Sequence, residues 1–183
     1  MKLMFISDIH GSSLYAQKAI DTYKQEKADK LIILGDILYH GPRNDLPEEY
    51  APKKVISLLN AYKKDIIAVR GNCDAEVDQM VLDVPIRSDF ATVDVDGHHF
   101  FLTHGHLFDE DNLPGLNDGD IFVYGHIHKP VAKEINGIYI INPSSISLPK
   151  EGKNSYGIYE KDTFMIKDFD QTVVKKIDFR KSQ

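Results

Sequence analysis

The stretch Met1-Lys2-Leu3-Met4-Phe5-Ile6-Ser7-Asp8-Ile9-His10 sets an apolar run directly against a carboxylate and an imidazole. Ser7-Asp8 interrupts that run before the roughly 7–15 apolar residues a signal-peptide core needs, so it reads as a buried strand ending in a polar loop. Further apolar runs recur near 30–34 and 66–69, with segments of helical period between them. Ala16, Ala19, Ile20 and Tyr23 recur at i, i+3, i+4 and i+7, and Ser12 or Ser13 is placed to cap the first free amides. A second helix is expected from around Pro52, burying Val55, Ile56, Leu59 and Tyr62. This alternation predicts β-α-β units and a largely parallel sheet. Between Asp36 and Pro52 lies a loop rich in Gly, Pro, Asn and Asp, too long for a plain connector.

The second half changes character. Thr92–Val95 and Phe100–Thr103 flank Asp96-Gly97, a dipeptide suited to a tight hairpin turn, and Asn136-Gly137 repeats the device between 131–135 and 138–142. Alternation over 155–179 predicts two or three more strands meandering to the C-terminus. His98 and His99 read as exposed hairpin residues, and Lys175 to Gln183 as a solvated edge strand and frayed end. The expected architecture is α/β, with two packed sheets, helices outside and an antiparallel C-terminal portion.

Composition bounds the function. A chain of 183 residues with 42% hydrophobic and 27% charged residues suits one soluble domain spanning 1–183 rather than a disordered chain. The lone cysteine, Cys73, excludes an intrachain disulfide and fits a reducing cytoplasm. No stretch reaches the roughly 18 apolar residues of a membrane span. With 22 basic against 28 acidic residues, the net charge of −6 is the wrong sign for tracking a long nucleic acid. Small anionic substrates stay open, because a metal ion supplies local positive charge.

The chemistry gathers after the expected strands. Asp8-Ile9-His10, Gly35-Asp36, Gly71-Asn72-Cys73-Asp74, His104-Gly105-His106 and His126-Ile127-His128 place oxygen and nitrogen donors at five successive strand ends. Each motif alone is ordinary turn chemistry or surface polarity. Together they read as a metal site, on the expectation that residues two apart in extended chain point the same way. Asp8, His10, Asp36, Asn72, His104, His126 and His128 are too many ligands for one ion that keeps an open position. Two ions sharing a carboxylate would each receive four. Such a pair holds a bridging water of lowered pKa and clamps both oxygens of an in-line displacement, so phosphoester hydrolysis is the natural reaction.

In this order the five motifs resemble those of the calcineurin-like binuclear metallophosphoesterases. Gly41-Pro42-Arg43-Asn44, Tyr50-Ala51-Pro52, Arg70-Gly71-Asn72-Cys73-Asp74 and Thr103-His104-Gly105-His106-Leu107-Phe108 are similar to the bacterial YfcE-type phosphodiesterase branch. The resemblance runs from Met1 to about Pro149. It implies a four-layer fold of two packed mixed sheets flanked by helices, and manganese-dependent hydrolysis of small phosphodiesters. It puts Asp8, His10, Asp36 and His128 on one ion, and Asp36, Asn72, His104 and His126 on the other, with Asp36 as the bridge. By donor type alone Zn²⁺, Fe or Ni²⁺ would also fit.

Many relatives carry histidine directly after the motif asparagine, where it protonates the leaving oxygen; here the residue is Cys73, as is usual for the YfcE-like branch. A thiol of ordinary pKa near 8.5 is protonated at neutral pH but is a poorer proton donor than imidazolium. Cys73 also suits a small buried role. His106 and His40 are the other candidate acids, and Arg43 and Arg70 the candidates for a phosphate oxygen. Asp74 is expected to orient Asn72 or a neighbouring ligand. Asn142-Pro143-Ser144-Ser145 is placed to cap a helix or brace the metal loops, with Ser144 where the family commonly has glycine. Leu38, Tyr39 and Leu46 suit either a substrate pocket or a contact in a homo-oligomer. The rival reading is a metal-binding scaffold for protein assembly, as in the retromer subunit of this fold; the presence of every ligand here favours an enzyme.

Overall fold

The computed structural model describes residues 1–179. Strand β1 (Leu3–Ile6) is buried on both faces: Met4 and Ile6 turn toward the helices, Leu3 and Phe5 toward a second sheet. That two-sided burial is why its sequence is a continuous apolar run instead of an alternating one. β2 (Lys30–Ile33) and β3 (Ile66–Ala68) follow β1 in parallel register. The intervening helices α1 (Ser13–Glu26) and α2 (Pro52–Asn60) pack on the outer face. Ser12 caps α1 by accepting from the Tyr15 amide, and Pro52 opens α2. Val55 and Leu59 are fully buried, whereas Ile56 and Tyr62 are partly so, Tyr62 lying beyond the helix end. After the short α3 (Glu76–Gln79) the chain enters the second sheet.

There β4 (Phe90–Val95) and β5 (His98–Thr103) form the hairpin about Asp96-Gly97. β7 (Pro130–Ile135) and β8 (Ile138–Pro143) form the one about Asn136-Gly137, and β6 (Ile121–Val123) lies between β5 and β8. The strand order is β4-β5-β6-β8-β7. The chain then returns to the first sheet through β9 (Ser155–Glu160), β10 (Thr163–Asp168) and β11 (Val173–Asp178), giving the order β11-β10-β9-β1-β2-β3. Both sheets are mixed. Between them Phe5, Phe100, Tyr159 and Phe164 interlock, with Phe5 and Phe164 ring centroids 5.0 Å apart. The outer face of the second sheet is covered by the irregular segment after β5, which packs Phe108, Leu113 and Leu116 on Phe101, Phe122 and Tyr124.

One sequence expectation changes in three dimensions. His98 is buried, because it shares the inward face of β5 with Phe100 and Leu102; its ring meets Tyr159 and Phe179 edge-on, and Nε2 lies 2.8 Å from Asp162 Oδ1. His99, opposite Asp94 in the hairpin register, bonds that carboxylate at 2.7 Å. β11 is an exposed edge strand as anticipated, while residues 180–183 of the charged tail lie outside the described residues.

The crossing from β8 back to β9 starts at Ser144, whose φ of +71° is left-handed and whose buried Oγ has no hydrogen-bond partner. The strain and the unpaired hydroxyl each destabilise by about 1 kcal/mol, against about 0.5–1 kcal/mol for the freer unfolded chain of a glycine variant. Ser144→Gly should therefore raise the melting temperature by about 2–4 °C in a calorimetric scan, and a lower value would contradict this account.

Candidate metal centre

The parallel strands of both sheets point their C-terminal ends at one place. Asp8 and His10 follow β1, Asp36 follows β2, Asn72 follows β3, His104 follows β5, and His126 and His128 follow β6. The ladder of β1 and β2 continues into these loops, with Asp8 N donating to Gly35 O at 3.2 Å and His10 N to Asp36 O at 2.9 Å. Gly125 N donates to His104 O at 2.8 Å in the other sheet.

The candidate ligand side chains do not converge by extended alternation, as the motif spacing suggested. Asp8, His10, Asp36, His126 and His128 have φ between +49° and +67°, the left-handed region that non-glycine residues rarely occupy. Each step is strained by about 1–2 kcal/mol, and the tertiary hydrogen bonds around it hold it in place. Two glycines permit the crowding: a Cβ on Gly71 would run into the Asp36 carboxylate, and one on Gly125 into the Ser7 hydroxyl.

The donor atoms meet closely. Asp8 Oδ1 lies 3.1 Å from His128 Nε2, 3.6 Å from His10 Nε2 and 4.0 Å from His104 Nε2. Asp36 Oδ2 lies 3.3 Å from His104 Nε2 and 3.7 Å from His10 Nε2. Asn72 Oδ1 is 3.0 Å from His104 Nε2, and the His126 ring centroid is 5.1 Å from that of His104. Three imidazoles are held by backbone carbonyls, because Nδ1–H of His10 donates to Tyr39 O, that of His104 to Leu34 O and that of His128 to Leu148 O, at 2.6–2.8 Å. Those bonds leave Nε2 of each ring aimed at the carboxylates, the arrangement metal-binding histidines adopt.

A cation fits this donor set. Asp8 is fully buried and its Oδ1 accepts no hydrogen bond, although Oδ2 accepts from the Ser7 hydroxyl at 2.6 Å and the His126 amide at 3.0 Å. Asp8, His10 and His128 form one compact trio of ligand atoms, and Asp8, Asp36 and His104 another. Burial opposes charge on Asp8, yet the imidazoles of His10, His128 and His104 beside it hold its carboxyl well below its ordinary value. The bond to Asp36, aided by the Asp8 charge, pushes His104 up to about 9 despite its burial. A field that draws a proton onto an imidazole draws a divalent cation to the same point.

Around the ligands, Asp74 acts on Asp36 rather than on Asn72: its carboxylate accepts the amides of Asp36 at 2.9 Å, Ile37 at 2.8 Å and Gly71 at 2.7 Å. Ser145 and Ser147 hydroxyls both donate to Asp8 O, at 2.8 and 2.9 Å, so the 142–147 segment braces the first metal loop. Ser147 and Ser7 escaped the sequence reading, although Ser7 adjoins Asp8; the carbonyl partners carry no side-chain signal at all. Cys73 lines the adjoining groove, and burial together with Asp36 pushes its thiol up to about 12. His40 and His106 do not line that groove. The His40 ring lies edge-on to Tyr39 and Tyr50, and burial followed by the nearby His104 moves His106 below its ordinary value. Arg43 lines the groove, whereas Arg70 does not: its Nε donates to Asp89 at 2.9 Å.

Comparison with known proteins agrees with this geometry. The sequence profile of the calcineurin-like phosphoesterase superfamily domain matches residues 1–163. The chain is 49% identical over 179 residues to phosphodiesterase YfcE of Escherichia coli K12, covering 97% of each chain, and 30% identical over 152 residues to a phosphodiesterase of Methanocaldococcus jannaschii, covering 78% of this chain and 82% of that one. The solved structure of the E. coli phosphoesterase superposes with a TM-score of 0.96 at 48% identity, covering 98% of this chain and 100% of that one. Vps29 of Entamoeba histolytica, at a TM-score of 0.66 and 20% identity, covering 98% and 100%, shares the fold alone. From the strand-end ligands to the full-length match, the chain belongs to the calcineurin-like phosphoesterase superfamily.

Proposed function

We propose that this chain is a metal-dependent phosphodiesterase, hydrolysing small phosphodiesters at a binuclear divalent-metal centre with manganese as the resident ion. The observation that carries this reading is the pair of buried carboxylates, Asp8 and Asp36, ringed by imidazoles whose Nε2 atoms face them. Asp8, His10, Asp36 and His128 would hold one ion, and Asp36, Asn72, His104 and His126 the other. Asp36 suits the bridge because its Oδ2 lies within 4 Å of one histidine from each set, while Oδ1 accepts the Cys73 amide at 2.8 Å. When bound, the ions supply a water of lowered pKa and positive charge for the phosphoryl oxygens. No helix among the described residues is long and apolar enough to cross a membrane, and the single cysteine suits a cytoplasmic location for a single domain over 1–183.

The protein's own groups then set selectivity. Carbonyl-held imidazoles keep the ligand cage from rotating, and Arg43 offers its fork to a non-bridging oxygen. The Cys73 thiol, pushed up to about 12, stays protonated through the neutral range and is a reluctant acid. Diesters with good leaving groups, which need little protonation, are therefore the favoured class.

Metal-stripped protein reloaded with Mn²⁺ should cleave bis(p-nitrophenyl) phosphate, and Asp36→Asn should lower that rate by about 10³-fold. Absence of turnover with any divalent ion in a folded protein would move the reading to a metal-binding scaffold. Rates should depend steeply on leaving-group pKa, and Cys73→His should flatten that slope and admit p-nitrophenyl phosphate; unchanged selectivity would count against the role given to Cys73. Asp74→Ala, which strands three buried amides, should weaken activation by Mn²⁺ by about 10–100-fold in a metal titration, with Asp74→Asn intermediate.

A further inference from the structure

The groove beside the candidate metal centre encloses about 560 Å³, within the range of nucleotide-sized ligand sites. Beyond the metal residues its lining carries three cations, Arg43, Lys129 and Lys150, and its one carboxylate is the ligand Asp36. In a chain with a net charge of −6 this is a local reversal of sign. Among the described residues the side chains of these three engage no carboxylate, whereas Arg70 pairs with Asp89, Arg87 with Glu76 and Lys133 with Glu110.

Their placement is held from below. Arg43 rides on the corner at 41–44, closed by Asn44 N donating to Gly41 O at 3.4 Å and Asn44 Nδ2 to His40 O at 2.8 Å. Lys129 directly follows the ligand His128. Lys150 N donates to His128 O at 2.9 Å, and His128 Nδ1–H donates to Leu148 O, so both lysines are tied to one metal ligand. A phosphodiester carries one negative charge, which the proposed ions, if bound, would already neutralise together with Arg43. Two further ammonium groups on flexible stems match a terminal phosphate, a compact dianion that accepts point charges from many directions, better than a planar carboxylate, which favours an arginine fork.

We infer that Lys129 and Lys150 form a subsite for a second phosphoryl group on the substrate, so that the enzyme prefers phosphodiesters whose retained portion also bears a phosphate monoester. This rests on the phosphodiesterase reading above and adds to it the class of substrate. Lys129 and Lys150 are specificity residues that touch the remote phosphate and leave the scissile bond to the metal centre.

Calorimetry with the Mn²⁺-loaded protein tests it, using thymidine 3′,5′-bisphosphate and thymidine 5′-monophosphate as probes at one fixed ionic strength. The bisphosphate should bind at least about tenfold more tightly. That advantage should fall at least fivefold in Lys129→Gln/Lys150→Gln and persist in Lys129→Arg/Lys150→Arg, a pattern a merely structural role would not produce. A smaller advantage in the parent protein, or one that survives the double glutamine variant, overturns the subsite. Turnover of bis(p-nitrophenyl) phosphate by the same preparations reads the parent hypothesis separately: cleavage without the binding preference removes the subsite alone, and the preference without cleavage removes the hydrolase reading alone.

Discussion

Two carboxylates taken out of water next to each other are the constraint on which this structure turns. Asp8 is fully buried and Asp36 nearly so, and each would be expelled or neutralised by protonation if nothing positive stood beside it. The surrounding histidines meet that demand from both sheets, and a divalent cation meets it more completely. The two-sheet sandwich brings together groups that no single β-α-β unit could supply: His104 and His128 come from the second sheet, Asp8, His10 and Asp36 from the first.

Holding five candidate ligands in left-handed backbone is unfavourable, and the loops around them are correspondingly over-determined. Asp74 gathers three amides on either side of Asp36, and two serine hydroxyls converge on the Asp8 carbonyl. Gly71 and Gly125 remove the side chains that would keep these loops apart. The hydrophobic core between the sheets, built on Phe5, Phe100 and Phe164, provides the rigid base from which strained loops can project.

Selectivity follows from what surrounds this cage. On the proposed reading a thiol takes the place where an imidazolium would protonate a leaving oxygen, and burial beside Asp36 makes that thiol still less acidic. The groove walls are cationic although the chain as a whole is acidic, so anions are drawn to one mouth and repelled elsewhere. The same −6 charge disfavours a long polyanion and leaves a small one acceptable.

Much of this was legible in the linear order of residues. Runs such as Leu3–Ile6, the spacing of Ala16 to Tyr23 and the hairpin dipeptides are local signals, because backbone preference and side-chain period act over a few residues. The donor types at five strand ends are equally local, and they specify oxygen and imidazole ligation whatever the fold. Which atoms meet is not local. His104 takes its orientation from Leu34, 70 residues earlier, and His126 N reaches Asp8 across 118 residues. The burial of His98 beneath Tyr159 and Phe179, the capture of Arg70 by Asp89 and the reversed backbone at the ligands likewise depend on packing between distant segments. Local signals in the chain were enough for most of the elements, for their order and for the donor types of the candidate ligands, but not for the short α3. Packing set which nitrogen faces the candidate centre, which cations line the groove without a carboxylate partner and how much strain the loops carry, because those depend on distances between segments far apart in the chain.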